Sequence, residues 1–360
     1  MSAATRVRVA LVGCGRIAHV HCGYLRQTPH VELVGACDIS QENRERLTAR
    51  WQVPTYADIE ELLSAAQPDM VHLVTPPATH ATLAVQLLEA GVHVLVEKPM
   101  ALTTAEADAM VAAARRMGKY LTVDHNRWFD PVLQQARTLL DSGALGSLVG
   151  VEVFQGTQVG EAELPAGQEG HWKAALPGGI LYDLAPHPTY LLRGFVGAVE
   201  SLHVVTRRDA GGKLRELRAI VAGEHALGGL TISVETRPFL NRVFLYGSSM
   251  TAEVNLNNMT LITRRERHVP KLVGKVLPNL DEAAQLLRST IVNGIEFLRG
   301  RQRYYPGMGI HFRSLYQALA AGQPPPVSAI DGRDGVWLLE EIWRQAGAAS
   351  APQLRRAANA

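Results

Sequence analysis

Asp183 and His187 stand four residues apart in the stretch GGILYDLAPH, residues 178–187. On an α-helix this spacing puts both side chains on one face, one turn apart. A carboxylate beside an imidazole can orient the ring and keep it ready for proton transfer near neutral pH. The pair therefore predicts general acid–base chemistry, with His187 as the proton acceptor and Asp183 as its partner.

Two prolines qualify this geometry, because Pro186 and Pro188 flank His187. Proline inside a helix removes a hydrogen bond and crowds the preceding turn. An alternative is that Asp183 caps a helix that restarts there, with Pro186 in the first turn, where proline is tolerated. Asp183 is then partly structural, and the chemistry depends on His187.

A glycine-rich turn near the N-terminus predicts a dinucleotide site. A strand predicted over 7–12 leads into a G-x-G-x-x-A pattern, and a helix is predicted over 17–27. In this pattern the first glycine allows a tight turn, the second admits a pyrophosphate, and the small third residue lets helix and strand pack. The helix N-terminus also favours phosphate charge. The predicted cofactor-binding residues here are Gly13, Gly15, Arg16, Ile17 and Ala18.

Asp38 ends the next predicted strand, 31–37, twenty residues after Ala18. An acidic residue there can accept hydrogen bonds from the adenosine ribose hydroxyls. Its charge would repel a 2′-phosphate, so NAD is favoured over NADP. Arg44, one turn into the next helix, keeps NADP as an alternative, and a turn or N-cap role remains an alternative for Asp38 itself.

Polar residues gather where the predicted strands of the first third end. Apolar strands and helices alternate through residue 123, which predicts a doubly wound parallel sheet. Ligands bind such sheets beyond the carboxyl ends of the strands. Lys98, after the apolar strand VHVLV, can there hydrogen-bond a substrate hydroxyl and lower its pKa; the alternative is a surface lysine in a turn. The polar strand ends are 75–77, 97–99 and 124–126.

Composition limits the class of protein. The 360 residues are 47% hydrophobic and 19% charged, which is typical of an ordered globular protein. The net charge of +2 gives no reason to expect nucleic-acid binding. The three cysteines lack C-x-x-C spacing and predict reduced thiols of a cytoplasmic protein, with no metal site. No apolar run reaches about 18 residues, so we expect no membrane span.

Four motifs resemble, in order and spacing, those of the Gfo/Idh/MocA oxidoreductases: 13–18, TPPATH at 75–80, AGVHVLVEKP at 90–99 and GG…D…H at 178–187. The resemblance implies a Rossmann domain, a C-terminal α/β domain with an open, mostly antiparallel sheet, and NAD(P)-dependent hydride transfer on sugars or cyclitols. It also implies roles for single residues. Lys98 matches the family's EKP lysine, and Asp183 and His187 match its D-x-x-x-H pair. The positions that line the cofactor in the family correspond to Thr75, Pro76, His80 and Glu97.

The expected domains are a Rossmann domain over 1–125, a substrate-binding and oligomerisation domain over 126–348, and a mobile tail over 349–360. Short predicted strands between 200 and 263 indicate an antiparallel sheet whose second face another subunit would cover, as is usual in the family, so we expect a homodimer or homotetramer. The long loop 157–177 is expected to be functional. Candidate substrate residues are Asn126, Arg127, Trp172 and Lys173. Surface packing of Arg127 on Trp128, and loop packing of Trp172 and Lys173, remain alternatives.

The segment 264–303 is unusually basic. It carries nine basic and four acidic residues, a net charge of +5. An amphipathic helix is predicted over 281–299, with Leu286, Leu287, Ile291, Ile295 and Leu298 apolar. A solvated helix face, an anionic substrate such as a nucleotide sugar, and contact with an anionic membrane surface are the open interpretations.

The leading hypothesis is an NAD(P)-dependent dehydrogenase that acts on a secondary alcohol of a sugar, cyclitol or nucleotide sugar. In it, the nicotinamide lies over Lys98, and the substrate enters between Lys98 and His187. One alternative is a redox-neutral cycle, in which transient oxidation permits elimination, epimerisation or glycoside cleavage. Another is a dinucleotide-sensing regulator without catalysis, against which Lys98, Asp183 and His187 argue.

Overall fold

The computed structural model of the chain describes residues 6–158, 176, 179–300 and 305–347. Spatial contacts divide the chain into two compact units: Met1–Asn126 with Met308–Glu340, and Arg127–Gly307 with Glu341–Ala360. The sequence placed the segment Met308–Glu340 in a second domain over 126–348. In the structure this segment belongs to the first unit instead. The reason is tertiary, because this segment buries polar and aromatic side chains against the first unit. The tail predicted over 349–360 lies outside the described residues.

The first unit contains a six-stranded parallel sheet in the order β3-β2-β1-β4-β5-β6. This order reverses direction between β1 and β4, which is where doubly wound sheets bind ligands. The strands are β1 (Val7–Val12), β2 (Val31–Cys37), β3 (Thr55–Tyr56), β4 (Met70–Leu73), β5 (His93–Val96) and β6 (Leu121–Val123). The connecting helices are α1 (Arg16–Leu25), α2 (Gln41–Trp51), α3 (Ile59–Ala66), α4 (Pro77–Glu89) and α5 (Thr104–Met117).

Local sequence explains where these helices begin. Ser40 and Asp58 accept a backbone N–H at the N-termini of α2 and α3. Thr103 and Glu106 form a capping box at the start of α5. The strands β4, β5 and β6 are almost wholly buried, as a parallel sheet covered on both faces requires. The predicted Rossmann architecture is therefore confirmed.

The second unit contains a seven-stranded sheet in the order β13-β12-β11-β7-β10-β9-β8. All neighbours are antiparallel except β7 and β10, which confirms the mostly antiparallel sheet that the resemblance implied. The strands are β7 (Leu148–Gln158), β8 (Val199–Arg208), β9 (Leu214–Gly223), β10 (Leu227–Ser233), β11 (Glu235–Gly247), β12 (Thr251–Asn255) and β13 (Thr260–Arg264).

The remaining helices are a 3₁₀ helix (Asn126–Phe129), α6 (Pro131–Asp141), α7 (Ile180–Leu184), α8 (Pro186–Val196), α9 (Val273–Leu298), α10 (Pro306–Ala320) and α11 (Ala329–Gln345). Helices α6 to α9 belong to the second unit, whereas most of α10 and α11 belongs to the first. Helix α8 packs on β7 and β10. None of the helices in the described ranges is long and apolar enough to cross a membrane.

Trp128 locks the start of the second unit onto α8. Its indole lies against Phe195, with ring centroids 4.9 Å apart, and Arg137 stacks on it at 5.0 Å. A Cβ on Gly194 would overlap the same indole. Position 194 is therefore glycine because of packing.

We expect Gly194→Ala to lower the free energy of unfolding by about 1–3 kcal/mol, because the added methyl overpacks the Trp128 site. Gly294→Ala in α9 is the matched control, since a Cβ there meets nothing within 4 Å. The control is expected to be neutral or stabilising by up to about 1 kcal/mol. Urea unfolding of both variants measures the difference, and equal effects would contradict the packing argument.

Candidate active site

The glycine-rich turn at the end of β1 has the shape that a phosphate site needs. Gly13 has φ +104°, and a Cβ there would lie 2.8 Å from the carbonyl oxygen of Val74. Gly15 is the N-cap of α1 with no side-chain cap, and a Cβ there would point into open space. Since the first turn of α1 also contains no acidic residue, its N–H groups suit an anionic group. These residues fit the pyrophosphate of a dinucleotide.

Asp38 is tied to this turn. Its Oδ2 accepts the Cys14 N–H at 2.7 Å and the Asn43 amide at 3.3 Å, while Oδ1 accepts the Ser40 N–H at 2.8 Å. A carboxylate offers about four acceptor positions, so one remains for a ribose hydroxyl. Ser40, and not Asp38, caps α2. Arg44 donates to the Asp38 carbonyl oxygen at 2.6 Å.

His80 joins two loops at the same edge of the sheet. Its ring nitrogens lie 2.8 Å from the Thr75 carbonyl oxygen and 2.9 Å from that of Pro99, and the residue is fully buried. Burial lowers the pKa of His80, although the carbonyl contacts oppose this. His80 therefore holds these two loops together, and the cofactor-lining position that the resemblance implied for it stays a prediction.

Lys98 lies two residues after the end of β5 and is half-buried. The Glu97 carboxylate accepts the Lys98 N–H at 3.1 Å through Oε2. Its other oxygen lies 3.0 Å from Nε2 of His21, a residue of α1. Glu97 is buried, so it shapes the backbone under Lys98 from inside the unit.

The contact between Glu97 and His21 belongs to a larger buried network. Nδ1 of His21 lies 2.9 Å from Nδ1 of His72 in β4, and Nε2 of His72 lies 2.6 Å from the Tyr316 hydroxyl in α10. Asp124, after β6, accepts from His311 at 2.9 Å and from Asn126 at 3.0 Å. Network atoms of His21, Glu97 and Asp124 lie within 4.8 Å of one another. The hydrogen bonds account for this clustering.

Burial sets the ionisation of the network. It raises the pKa of Glu97, which the hydrogen bond from His21 only partly opposes. At Asp124 burial acts in the same direction, but the hydrogen bond and charge of His311, with the charge of His21, outweigh it and bring the pKa to about 2. Burial also lowers the pKa of His72 well below its usual range. The contacts with His311 therefore keep Asp124 ionised inside the unit.

In the second unit, Asp183 and His187 lie on a nearly continuous helical path. Helix α7 ends at Leu184 and α8 begins at Pro186, with Ala185 between them in the right-handed helical conformation. Four residues on such a path put both side chains on one face. Because Ala185 is the N-cap of α8, the alternative in which Asp183 caps the restarted helix is wrong. Gly179, with φ +61°, is the N-cap of α7.

Tyr190 holds the imidazole of His187. Its hydroxyl oxygen lies 3.0 Å from Nδ1 of His187 and accepts the Arg127 N–H at 3.0 Å. Tyr190 itself is buried, so the ring of His187 has a fixed neighbour on its own helix. Sequence reasoning missed Tyr190, although its spacing of three from His187 was a visible signal.

Arg127 is not the surface residue that the alternative interpretation required. Its side chain is 18% exposed and forms an ion pair with Asp130 at 3.0 Å. Asp130 also accepts the Gly307 N–H at 3.0 Å. Arg137, and not Arg127, stacks on Trp128. A buried ion pair fixes the Arg127 backbone, which supplies the N–H that Tyr190 accepts.

The predicted residues fall into two groups. The first unit brings together the turn 13–18, Asp38, Thr75, Pro76 and the loop of Glu97 and Lys98 at the carboxyl edge of its sheet, with Asn126 buried beside Asp124. The second unit holds Arg127, Asp183 and His187. Trp172 and Lys173 lie outside the described residues. Sequence reasoning also missed His21, His72 and His311, which lack a common local motif.

The strand order and the open glycine turn define the first unit as a dinucleotide-binding Rossmann domain. Family models agree: residues 7–125 match the oxidoreductase family with an NAD-binding Rossmann fold, and residues 133–253 match the GFO/IDH/MocA C-terminal domain. The chain belongs to the Gfo/Idh/MocA oxidoreductase family, and the predicted resemblance is confirmed.

Two relatives are named as dehydrogenases of sugar compounds. The chain is 34% identical to D-glucoside 3-dehydrogenase of Escherichia coli over 144 residues, 39% of this chain and 41% of that one. It is 37% identical to D-apiose dehydrogenase of Paraburkholderia graminis over 146 residues, 39% of this chain and 38% of that one. The chain therefore spans about two-fifths of the length of these relatives.

A solved structure extends the likeness of fold to nearly the whole chain. The WlbA dehydrogenase from Bordetella pertussis, in complex with NADH and UDP-GlcNAcA, is 24% identical with a TM-score of 0.78. The match covers 95% of this chain and 96% of that one. At this identity the match demonstrates a shared fold.

The ionised Asp124 predicts an acid-sensitive contribution to stability. Its folded pKa of about 2 lies below the ordinary value of 3.8, so the contribution is present above about pH 4 and is lost as the pH falls toward 2. We expect Asp124→Asn to lower the free energy of unfolding by roughly 2 kcal/mol at neutral pH, and by about half of that near pH 3.

Urea unfolding at several pH values measures this difference. Asp141→Asn is the control, because Asp141 is exposed and its removal should leave the pH dependence unchanged. A constant difference between Asp124→Asn and the wild type across this pH range would contradict the assignment.

Proposed function

We propose that the protein is an NAD-dependent oxidoreductase that moves a hydride between nicotinamide and a secondary alcohol or ketone of a sugar, cyclitol or nucleotide sugar. The observation that carries the proposal is the carboxyl edge of the first sheet. There, one unit gathers an open glycine turn, Asp38 and the half-buried Lys98. Each has the chemistry that one part of a dinucleotide or its substrate requires.

The cofactor would be held by the backbone and by Asp38. The uncapped N–H groups of α1 would bind the pyrophosphate, and the remaining acceptor position of Asp38 would bind a ribose hydroxyl. Ile39, which is 95% exposed beside Asp38, offers an apolar surface for the adenine ring. The Asp38 charge favours NAD over NADP. A bound nicotinamide supplies the hydride acceptor for alcohol oxidation.

The protein's own groups would manage the proton and the developing charge. In the tautomer that donates Nδ1–H to the Tyr190 oxygen, Nε2 of His187 takes the substrate hydroxyl proton. Asp183, one turn earlier, favours the imidazolium that results. The Lys98 ammonium stabilises the oxygen as it loses its proton, because a fixed positive charge acts strongly in a water-poor site. Asn126 and Arg127 remain substrate-side candidates.

The named relatives support a sugar-like substrate, and the WlbA complex makes a nucleotide sugar a specific candidate. The second candidate is a redox-neutral cycle, which would use the same groups but return the hydride to the substrate. It differs in a measurable way, because it yields product without net NADH. A sensor without catalysis would give neither.

We expect His187→Ala and Lys98→Met each to lower turnover by at least about 100-fold, because each removes a group that acts on the reacting oxygen. NADH absorbance with a panel of sugars, cyclitols and nucleotide sugars measures turnover. Both variants should still bind NAD. Calorimetry measures this binding, with NADP as the comparison ligand.

His268→Ala and Lys213→Met are the matched controls, since both residues are exposed in the second unit, after β13 and just before β9. They should keep wild-type turnover. Wild-type turnover in His187→Ala or Lys98→Met would refute the catalytic assignment. Loss of NAD binding along with turnover would mean that the variant damaged the fold or the cofactor site.

A homodimer or homotetramer in the cytoplasm completes the proposal. The seven-stranded sheet exposes large apolar side chains of neighbouring strands, with Val205 72%, Ile220 65% and Leu227 64% exposed. A second copy on this face would remove them from water. The three free, buried cysteines suit a reducing compartment. Light scattering should give at least twice the chain mass, which Val205→Asn with Ile220→Asn should lower; a monomeric wild type would contradict it.

A further inference from the structure

Helix α9 rests on its domain through polar side chains. Glu282 forms an ion pair with Arg264 of β13 at 2.7 Å, and Gln285 accepts the Thr263 N–H at 2.9 Å. Asn293 donates to the Met259 carbonyl oxygen at 2.9 Å. At 100° per residue, these three helix positions lie within about 80° of one another. The face of α9 toward the sheet is therefore polar, and no residue of the helix is buried.

The opposite face of α9 is apolar and exposed. Its central positions fall within about 60° of one another around the helix. They are Val276 at 55% exposure, Leu280 at 61%, Leu287 at 63%, Ile291 at 53% and Leu298 at 85%. Leu286 and Ile295, both 42% exposed, extend a mainly apolar arc to about half of the circumference, in which Asn279 and Thr290 are polar. An ordinary surface helix has the reverse arrangement, with its apolar stripe toward the core.

The charged residues of α9 are also divided between its two faces. The acidic residues of α9 lie on or near its inner face and are paired: Asp281 with Arg267 at 3.1 Å, Glu282 with Arg264, and Glu296 with Arg299 at 3.1 Å. Lys275 and Arg288 lie just beyond the two borders of the apolar arc. Within the described residues neither makes an ion pair. The exposed side of α9 is thus apolar with cationic borders.

The width of the apolar arc distinguishes a second helix, a second copy of the chain and a lipid surface as the partner that covers it. A second helix covers a narrow seam, so Leu286 and Ile295 at the borders would stay in water. A second copy would also bring cationic borders close to cationic borders. A flat apolar phase with an anionic surface covers half of a helix and attracts both borders.

We propose that α9 is a membrane-docking helix that lies in the interface of an anionic lipid bilayer. Its apolar half enters the boundary between head groups and acyl chains, and Lys275 and Arg288 reach anionic head groups. The polar half stays bonded to the sheet edge, so docking needs no unfolding. The inference does not depend on the reaction that the protein catalyses.

Flotation of the full chain with lipid vesicles tests the proposal. We expect binding to vesicles of phosphatidylcholine and phosphatidylglycerol in equal parts, and little binding to phosphatidylcholine alone. Raising the salt concentration should weaken it. Leu287→Asn with Ile291→Asn should lower the vesicle partition coefficient by about tenfold or more, since two apolar side chains no longer enter the bilayer. Arg288→Glu should lower it about fivefold or more.

Matched controls keep the changes outside α9. Val149→Asn with Ile330→Asn removes two exposed apolar side chains outside α9, and Arg265→Glu reverses an exposed charge beyond the helix. Both should bind vesicles as the wild type does. Circular dichroism and thermal unfolding verify that each variant is folded.

Two outcomes would overturn the proposal. One is no flotation of the folded wild type with anionic vesicles. The other is an oligomer, seen by light scattering, whose mass falls with Leu287→Asn and Ile291→Asn but not with Val205→Asn and Ile220→Asn. That result would assign the apolar face of α9 to a second copy of the chain.

Discussion

The hydrogen bond between His21 and Glu97 is the contact on which the proposed cofactor edge depends. Glu97 lies between the end of a buried strand and Lys98, and its carboxylate is inside the unit. A buried carboxylate without partners is costly, because water no longer solvates it. His21 supplies one partner from the helix that follows the glycine turn, and the Lys98 N–H supplies another. The same side chain thereby links the phosphate end of the edge to the lysine.

The contact between His21 and Glu97 is part of a larger set of buried hydrogen bonds. His21 leads to His72 and Tyr316, and Asp124 nearby leads to His311 and Asn126. Two of these residues belong to α10, which follows the second sheet in sequence. The first unit therefore needs the late segment Met308–Glu340 to satisfy its own buried donors and acceptors. This explains why the chain returns to its first unit after building the second.

Site chemistry in the second unit follows the same logic on a smaller scale. The buried ion pair of Arg127 with Asp130 holds the backbone whose N–H meets Tyr190, and Tyr190 meets His187. The orientation of the imidazole thus depends on the Arg127–Asp130 ion pair, which acts on it through the Arg127 backbone and the Tyr190 hydroxyl. Helix α9 is different, because its polar residues face the protein and its apolar residues face outward. The outward-facing residues of α9 are suited to bind a surface that lies outside the protein.

The sequence by itself determined the Rossmann architecture, the mostly antiparallel second sheet and the family, because strand periodicity and the motifs at 13–18 and 90–99 are local. It also indicated Lys98, Asp38 and His187, which lie at recognisable ends of elements. Only the tertiary structure decided the membership of 308–340, the cap at Ala185 and the burial of His80. It alone joined His21, Asp124 and His311, since their partners are 76 and 187 residues away and no local pattern encodes a contact of that range.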